Sequence, residues 1–95
     1  MNINELRYIV AVAQTRNFRR AAEKCFVSQP ALSTAVLKLE EELGVRLFER
    51  SRAEVSITTV GQLIVEKAAQ VLEEAEQIRL LARQGKNPLA GPLKL

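Results

Sequence analysis

The chain has 95 residues, which is enough for one small domain and too few for a catalytic and a regulatory domain together, and its 47% hydrophobic and 26% charged residues are typical of a folded protein. It has no run of about 18 apolar residues and no basic region followed by an apolar core at its start, so the sequence predicts neither a membrane span nor a secretory signal. The net charge is +3, and the excess lies in residues 1–52, which hold nine Lys or Arg against six Glu.

Two amphipathic helices are predicted in the first part of the chain. The first covers residues 4–15, with Asn2 or Asn4 as its N-cap. Its apolar stripe consists of Leu6, Ile9, Val10 and Ala13. The second helix is short, residues 18–24, with Asn17 as its N-cap. Its core-facing residues are Phe18, Ala21, Ala22 and Cys25.

A third helix is predicted from Ser28, a favoured N-cap, to Gly44, a residue that commonly ends helices. Pro30 lies in its first turn, where the missing N–H has no partner to lose. The spacing predicts that Leu32, Val36, Leu39 and Leu43 point inward together. The opposite face then holds Pro30, Ser33, Thr34, Leu37, Lys38 and Glu41.

Two short β-prone segments follow, at residues 45–50 and 55–58, and residues 51–54 separate them. This pattern predicts a small hairpin, although the connection lacks the Asn-Gly or Asp-Gly pair of a tight turn.

The last predicted helix covers residues 59–84 and ends at Gly85. Thr59 and Gln62 have the spacing of a capping box, and Thr58 is the alternative cap. At roughly 39 Å the helix is too long for the surface of so small a domain. Residues at alternating spacings of four and three predict a heptad seam for dimerisation: Ile64, Ala68, Val71, Ala75, Ile78 and Ala82. Leu63 and Leu72 widen this apolar face toward the first helix of a partner.

The residue types that most often carry catalysis are missing. Histidine is absent, which removes the commonest general base and metal ligand, and so is Asp. The single Cys25 excludes an internal disulfide and a zinc site with several thiolates. The three glutamates at 40–42 diverge by about 100° per residue, so we interpret them as a solvated helix end. The sequence predicts no enzyme, no metal and no cofactor.

The second and third helices, joined by Cys25, Phe26 and Val27, are typical of a helix-turn-helix, whose second helix enters the major groove of DNA. Gln29 can bridge an adenine edge, Ser33 and Thr34 can reach bases or phosphates, and Pro30 and Leu37 suit thymine methyl groups. Ser28, at the helix N-terminus, and Lys38 suit phosphate oxygens. Further basic residues in the preceding helix and the hairpin are candidates for phosphate or the minor groove: Arg19, Arg20, Arg50 and Arg52.

Three alternatives remain open from the residues alone. The outward helix face is an ordinary solvated surface, or the long helix is the functional part of an interaction module that binds no DNA. The third alternative is a thiol switch or redox enzyme that uses Cys25, against which stands its position on a core face without a second Cys or a His.

Four motifs resemble the LysR-type transcription regulators over the whole chain: FRRAA at 18–22, VSQPALS at 27–33, LEEELGVRLFER at 39–50, and Thr58 followed by Gly61. Within that family, MNI at 1–3, FRRAA at 18–22 and Cys25 resemble the peroxide-responsive subgroup. The last residues, 91–95, resemble the opening strand of the family's C-terminal domain.

The resemblance implies a mainly α fold, with a winged helix-turn-helix DNA-binding domain at 1–58 and a dimerisation linker helix at 59–86 that pairs antiparallel with its mate. Residues 87–95 would be a hinge and the first strand of an effector-binding domain. Implied partners are double-stranded promoter DNA, a second copy, two dimers in a full-length tetramer, and RNA polymerase, all in the cytoplasm. The signal would be hydrogen peroxide or, as an alternative, a small metabolite.

Carried over by position, the resemblance assigns the major groove to Gln29, Pro30, Ser33, Thr34 and Lys38. It assigns Arg50 and Arg52 to the wing, and Arg19 and Arg20 to backbone contacts. Thr34, Ala35 and Leu37 stand where many members carry longer polar or basic side chains, and Ala53 and Glu54 replace basic wing residues. Few base-specific contacts are therefore expected, with more dependence on DNA shape.

Overall fold

The computed structural model describes residues 1–51 and 54–86. Within these residues the elements are, in chain order, α1 (Ile3–Thr15), α2 (Phe18–Cys25), α3 (Gln29–Leu43), β1 (Phe48–Arg50), β2 (Val55–Ile57) and α4 (Thr59–Lys86). The predicted class, mainly α with three helices, a hairpin and then one long helix, is confirmed. The predicted hinge and strand at 87–95 and the candidate site residue Arg52 lie outside the described residues. In the described part of the chain, no helix combines the length and the apolar content that crossing a membrane requires.

The helix ends follow from local side-chain chemistry. Asn2 caps α1 in a capping box: its side-chain oxygen accepts from the Glu5 N–H at 2.8 Å, and the Glu5 carboxylate accepts from the Asn2 N–H at 3.1 Å. Asn17 caps α2 and Ser28 caps α3, as predicted. Gly44 ends α3 with a φ of +73°, a left-handed conformation that glycine adopts without steric cost.

The core lies where α1, α2, α3 and the first part of α4 meet, with the hairpin closing one side. Its fully buried residues include Ile9, Val12, Leu32 and Leu39. Leu43 was predicted to join them but lies at the edge of the core, 36% exposed, because it is the last residue of α3. The inward face of α3 is otherwise as predicted.

The hairpin is antiparallel, with Phe48 opposite Ile57 and Arg50 opposite Val55. Its first strand is shorter than predicted, because residues 45–47 are not paired as a strand. The Leu47 and Phe48 N–H groups both donate to the Glu40 carboxylate, at 2.7 and 3.2 Å. The interpretation of Glu40 as a solvated residue was therefore wrong: it is buried, and it ties α3 to the start of β1.

Helix α4 is attached to the hairpin at its first turn. Thr58, not Thr59, is the cap, since its Oγ1 accepts from the Gly61 N–H at 2.9 Å. A Cβ at Gly61 would lie 2.3 Å from the Leu47 carbonyl oxygen, so only glycine permits this approach. The helix also continues through Gly85 to Lys86, against the prediction that Gly85 ends it.

Helix α4 has two apolar faces about 80° apart, given about 100° per residue. The first face, which we call the core face, packs against α1 and consists of Gly61, Val65, Ala68 and Leu72. The predicted heptad seam runs along the second face. Two predictions need correction. Ala68 was predicted to lie in the dimer seam but is only 3% exposed and belongs to the chain's own core. Leu72 was predicted to contact a partner but packs on that same core.

Candidate nucleic-acid interface

A short connection with one left-handed residue sets the angle between α2 and α3. Phe26 has a φ of +59° and its N–H donates to the Glu23 carbonyl at 3.2 Å, while the Val27 N–H donates to the Ala22 carbonyl at 3.0 Å. These bonds close the end of α2. Val27 packs on the core, and Ser28 then caps α3. The helix-turn-helix expected from the sequence is present.

One face of α3 is held in the core and the other is presented to solvent. Leu32, Val36 and Leu39 are 0–2% exposed, which fixes the helix in position. On the opposite side Leu37 is 58% exposed. The predicted site residues that are exposed on α3 or at its cap are Ser28, Gln29, Pro30, Thr34, Leu37 and Lys38, whereas Ser33 is half-buried.

Two open grooves flank the first half of α3. The one that we call the Gln29 groove is lined by Gln29, by the corner before α2 and the first turn of α2, and by the hairpin; its basic residues are Arg16, Arg19 and Arg50. The other, which we call the Thr34 groove, lies between α3 and the start of α1. Its residues include Pro30, Thr34 and Lys38 from α3 and Asn2, Asn4 and Tyr8 from α1.

The structure thus brings Gln29, Arg19 and Arg50 together, and separately Pro30, Thr34 and Lys38. Leu37 lies in a third depression, beside Glu41 and Arg46. Arg20 is exposed and lines neither of the two flanking grooves.

The Gln29 groove is predominantly positive. Glu54 also lines it, and Arg19 makes an ion pair with Glu23 at 3.8 Å between two well-exposed side chains, a contact that neutralises little in water. Arg16 was not among the predicted site residues. The sequence could have indicated it, because Asn17 is the predicted N-cap of α2 and Arg16, the residue before it, must lie at the corner where α2 begins.

The wing residue Arg50 lies against an aromatic ring of α2. Its Cζ is 3.8 Å from the centroid of the Phe18 ring, a cation–π distance. Phe18 is 6% exposed and meets Phe48 edge to face, with centroids 6.2 Å apart and planes at 81°. The sequence predicts Phe18 only as a core residue. No local pattern predicts its contact with Arg50, which lies 32 positions further along the chain.

The far end of α3 is tied to the start of the chain. The Met1 ammonium group donates to Glu42 Oε1 at 2.6 Å and lies 3.5 Å from the Glu5 carboxylate. The hydrogen bond to Glu42, together with the charges of both carboxylates, raises the pKa of the Met1 amino group above its ordinary value. This contact lies one helix length away from Gln29.

The second face of α4 carries the exposed part of the predicted seam. Ile78 is 68% exposed and Val71 40%, Ala82 is exposed, and Ala75 is half-buried. Ile64, at the start of the seam, is half-buried and packs on the core. Leu63 and Leu81, at 63% and 49% exposed, flank this face.

A three-helix core with a two-stranded hairpin, in which a short turn presents the third helix to solvent, defines a winged helix-turn-helix domain. Residues 3–62 match the family model described as bacterial regulatory helix-turn-helix protein, lysR family. The chain belongs to the LysR family.

Three relatives illustrate the similarity. The hydrogen peroxide-inducible genes activator of Pectobacterium carotovorum subsp. carotovorum is 48% identical over all 95 residues, which are 32% of its own length. A full-length OxyR variant from Pseudomonas aeruginosa has a TM-score of 0.90 and 59% identity, over 98% of this chain and 32% of that one. The BenM DNA-binding domain in complex with its benA site 1 DNA has a TM-score of 0.85 and 34% identity, over 92% of this chain and 98% of that one. The chain therefore spans about a third of the length of the curated relatives it matches.

Proposed function

We propose that this chain is the DNA-binding part of a LysR-type transcription regulator and that it acts by sequence-specific binding, not by catalysis. The observation that carries the proposal is the exposed first half of α3, anchored by a buried opposite face and bordered by a groove with three arginines. The major groove is wide enough to admit a helix presented in this way. The structure of the BenM domain bound to DNA, at 34% identity, supports the same use of this fold.

Each part of the surface has a distinct role in the proposal. Gln29 bridges an adenine edge, and Thr34 reaches bases or phosphates. Pro30 and Leu37 offer apolar contact to thymine methyl groups. Ser33, half-buried beside them, reaches bases or phosphates through its hydroxyl. Ser28 with the start of α3, and Lys38, bind phosphate oxygens. The arginines of the two flanking elements add backbone or minor-groove contacts: Arg19, Arg20, Arg50 and Arg52.

The second face of α4 is proposed as the homodimer contact. Its exposed apolar residues include Val71 and Ile78, and Ala75 and Ala82 leave room for a partner helix to come close. A two-fold dimer would present two copies of α3 to half-sites about one helical turn apart.

Response to hydrogen peroxide is the finer part of the proposal. Its support is the 48% identity to a hydrogen peroxide-inducible genes activator and the 59% identity to a full-length OxyR. The signal would be received outside this chain, and the DNA partner implies a cytoplasmic location. A promoter duplex titrated with the intact protein before and after peroxide treatment tests this part: a change in footprint supports it, and an unchanged footprint contradicts it.

The test of DNA binding is fluorescence anisotropy with a ~30 bp duplex selected from a random library, spanning two half-sites about one turn apart. Gln29→Ala should reduce the preference for the selected duplex by about 10-fold to 100-fold, while affinity for scrambled DNA stays the same. Lys38→Gln should weaken both duplexes equally and lower the salt slope by about 0.9. Lys67→Gln, on exposed α4, is the matched charge control. Equal affinity of the wild type for selected and scrambled duplexes would contradict the proposal.

A further inference from the structure

The guanidinium group of Arg50, a wing residue, lies over an aromatic ring of another element. It lies at the end of β1, on a three-residue strand, yet its Cζ is 3.8 Å from the centre of a ring that belongs to α2. The ring is that of Phe18, the first residue of α2, next to the capping Asn17. The contact therefore joins the wing to the corner where the Gln29 groove begins.

The ring itself is firmly held. Phe18 is 6% exposed within the core, and Phe48, 3% exposed, packs against it edge to face. Phe48 is in turn fixed by its N–H bond to the buried Glu40 of α3. The surface under Arg50 thus combines α2 with β1, and the backbone of β1 is tied to α3 through Glu40.

Within the described residues, the guanidinium of Arg50 contacts an aromatic ring and forms no ion pair. Among residues 1–51 and 54–86, no carboxylate lies within 4.0 Å of its guanidinium, whereas Arg19, Arg46, Arg79 and Arg83 all have such partners. A guanidinium over a ring face still has N–H groups that can donate elsewhere, because it carries five donors in a fork. Ordering a long side chain before binding also reduces the entropy that binding must overcome.

We propose that Phe18 is a positioning residue for DNA recognition: its ring holds the Arg50 guanidinium in the Gln29 groove with the N–H groups directed at a phosphate or a minor-groove acceptor. The proposal rests on the DNA-binding function proposed above. It assigns to a core aromatic a second role, which is to keep the wing's cation ordered in the free protein.

A double-mutant cycle on the affinity for the selected duplex tests this role. Phe18→Leu should weaken binding by roughly 3-fold to 10-fold, which is the cost of ordering one long side chain at the moment of binding, without changing the salt slope, because no charge is removed. Arg50→Gln should weaken binding further and, where it meets a phosphate, lower the slope by about 0.9. In the Arg50→Gln background, Phe18→Leu should have no additional effect.

Phe48→Leu is the matched control. It removes the other ring of the pair and destabilises the core comparably, but leaves the ring under Arg50, so affinity should stay within about twofold of the wild type. A direct readout in the free protein is NMR: ring current should shift the Arg50 side-chain protons upfield in the wild type and in Phe48→Leu, and not in Phe18→Leu.

The outcomes separate the two proposals. If the wild type binds the selected duplex but the two substitutions are additive, or Phe48→Leu loses as much affinity as Phe18→Leu, Phe18 is only a core residue and this inference is overturned. If Arg50 shows no ring-current shift in the wild type, it is overturned as well. If the wild type prefers no duplex at all, the proposed function itself fails.

Discussion

The two ends of the molecule differ in how completely their apolar side chains are buried within a single chain. In residues 1–51 and 54–72 the apolar faces of α1, α2, α3 and the start of α4 cover one another, and polar groups of the connections have partners, as Glu40 and Thr58 illustrate. In residues 73–86, the rest of the described part of α4, no apolar side chain belongs to the core, and Ile78 is 68% exposed with Leu81 at 49%. The first region is a domain whose core is closed by its own residues. The second region exposes apolar side chains, as expected of a surface that a partner covers.

The largest expected effect is a loss of unfolding free energy in the first region. Glu40→Leu leaves the Leu47 and Phe48 N–H groups buried without an acceptor, which should cost about 4 kcal/mol of unfolding free energy. Urea denaturation monitored by circular dichroism measures it. Glu40→Gln keeps one acceptor oxygen and should lose less, while Glu41→Leu, on an exposed neighbour, should change stability by about 0.5 kcal/mol or less. A loss no larger for Glu40→Leu than for Glu41→Leu would show that the buried carboxylate does not hold the wing.

The next effect is a loss of dimer affinity at the exposed part of α4. Ile78→Glu should weaken dimerisation by about 3 kcal/mol, because the residue occurs twice in a symmetric dimer and a charge replaces an apolar contact. Sedimentation equilibrium measures the dissociation constant. At concentrations where both proteins are monomeric, the free energy of unfolding should not change, since Ile78 does not belong to the core. Glu74→Gln, an exposed change on the same half of α4, is the control, and an unchanged dimer in Ile78→Glu would refute the assignment of this face.

A somewhat smaller effect is expected where the two regions join. Gly61→Ala puts a Cβ at 2.3 Å from the Leu47 carbonyl oxygen, so either α4 or the hairpin must move, at a cost of about 2 kcal/mol. Gly85→Ala, with nothing within 4 Å of the added Cβ, should instead be neutral or stabilise the helix by up to about 1 kcal/mol. Thermal unfolding of both variants compares them directly. Equal melting temperatures would mean that α4 is not seated against the wing.

The smallest effect is a pH dependence within the first region. The pKa of the Met1 amino group is raised in the folded state, mainly by its hydrogen bond to Glu42, so this contact stabilises the fold below about pH 8 and its contribution is lost as pH rises through the folded pKa. Compared between about pH 7 and pH 10, the wild type should lose slightly more thermal stability than Glu42→Gln. Glu41→Gln should behave like the wild type. An identical loss in the wild type and Glu42→Gln would contradict the contact.

The sequence allowed prediction of most features with a local cause, although Gly85 does not end α4 as expected. The caps Asn17, Ser28 and Gly44 act within three or four residues, and the outward face of α3 follows from helical spacing. What could not be predicted depends on residues far apart in the chain. Nothing near Glu40 indicates that it meets the backbone of Leu47 in place of water, and nothing in a heptad pattern distinguishes Ala68, which faces its own α1, from Ala82, which is left exposed. The candidate site divides in the same way. The sequence predicts Gln29 and Lys38 as site residues, but it does not predict the contact of Arg50 with the Phe18 ring.

One titration can compare methyl groups from the recognition helix and from the long helix in the same experiment. Thr34 lies in the groove beside α3, and Leu81 lies on the uncovered half of α4. In methyl NMR spectra of the protein titrated with the selected duplex, we expect the Thr34 signal to shift until the duplex saturates the protein, while the Leu81 signals stay in place. Shifts at Leu81 with an unmoved Thr34 would contradict it, because they would put the nucleic acid on the long helix and leave the recognition helix unused.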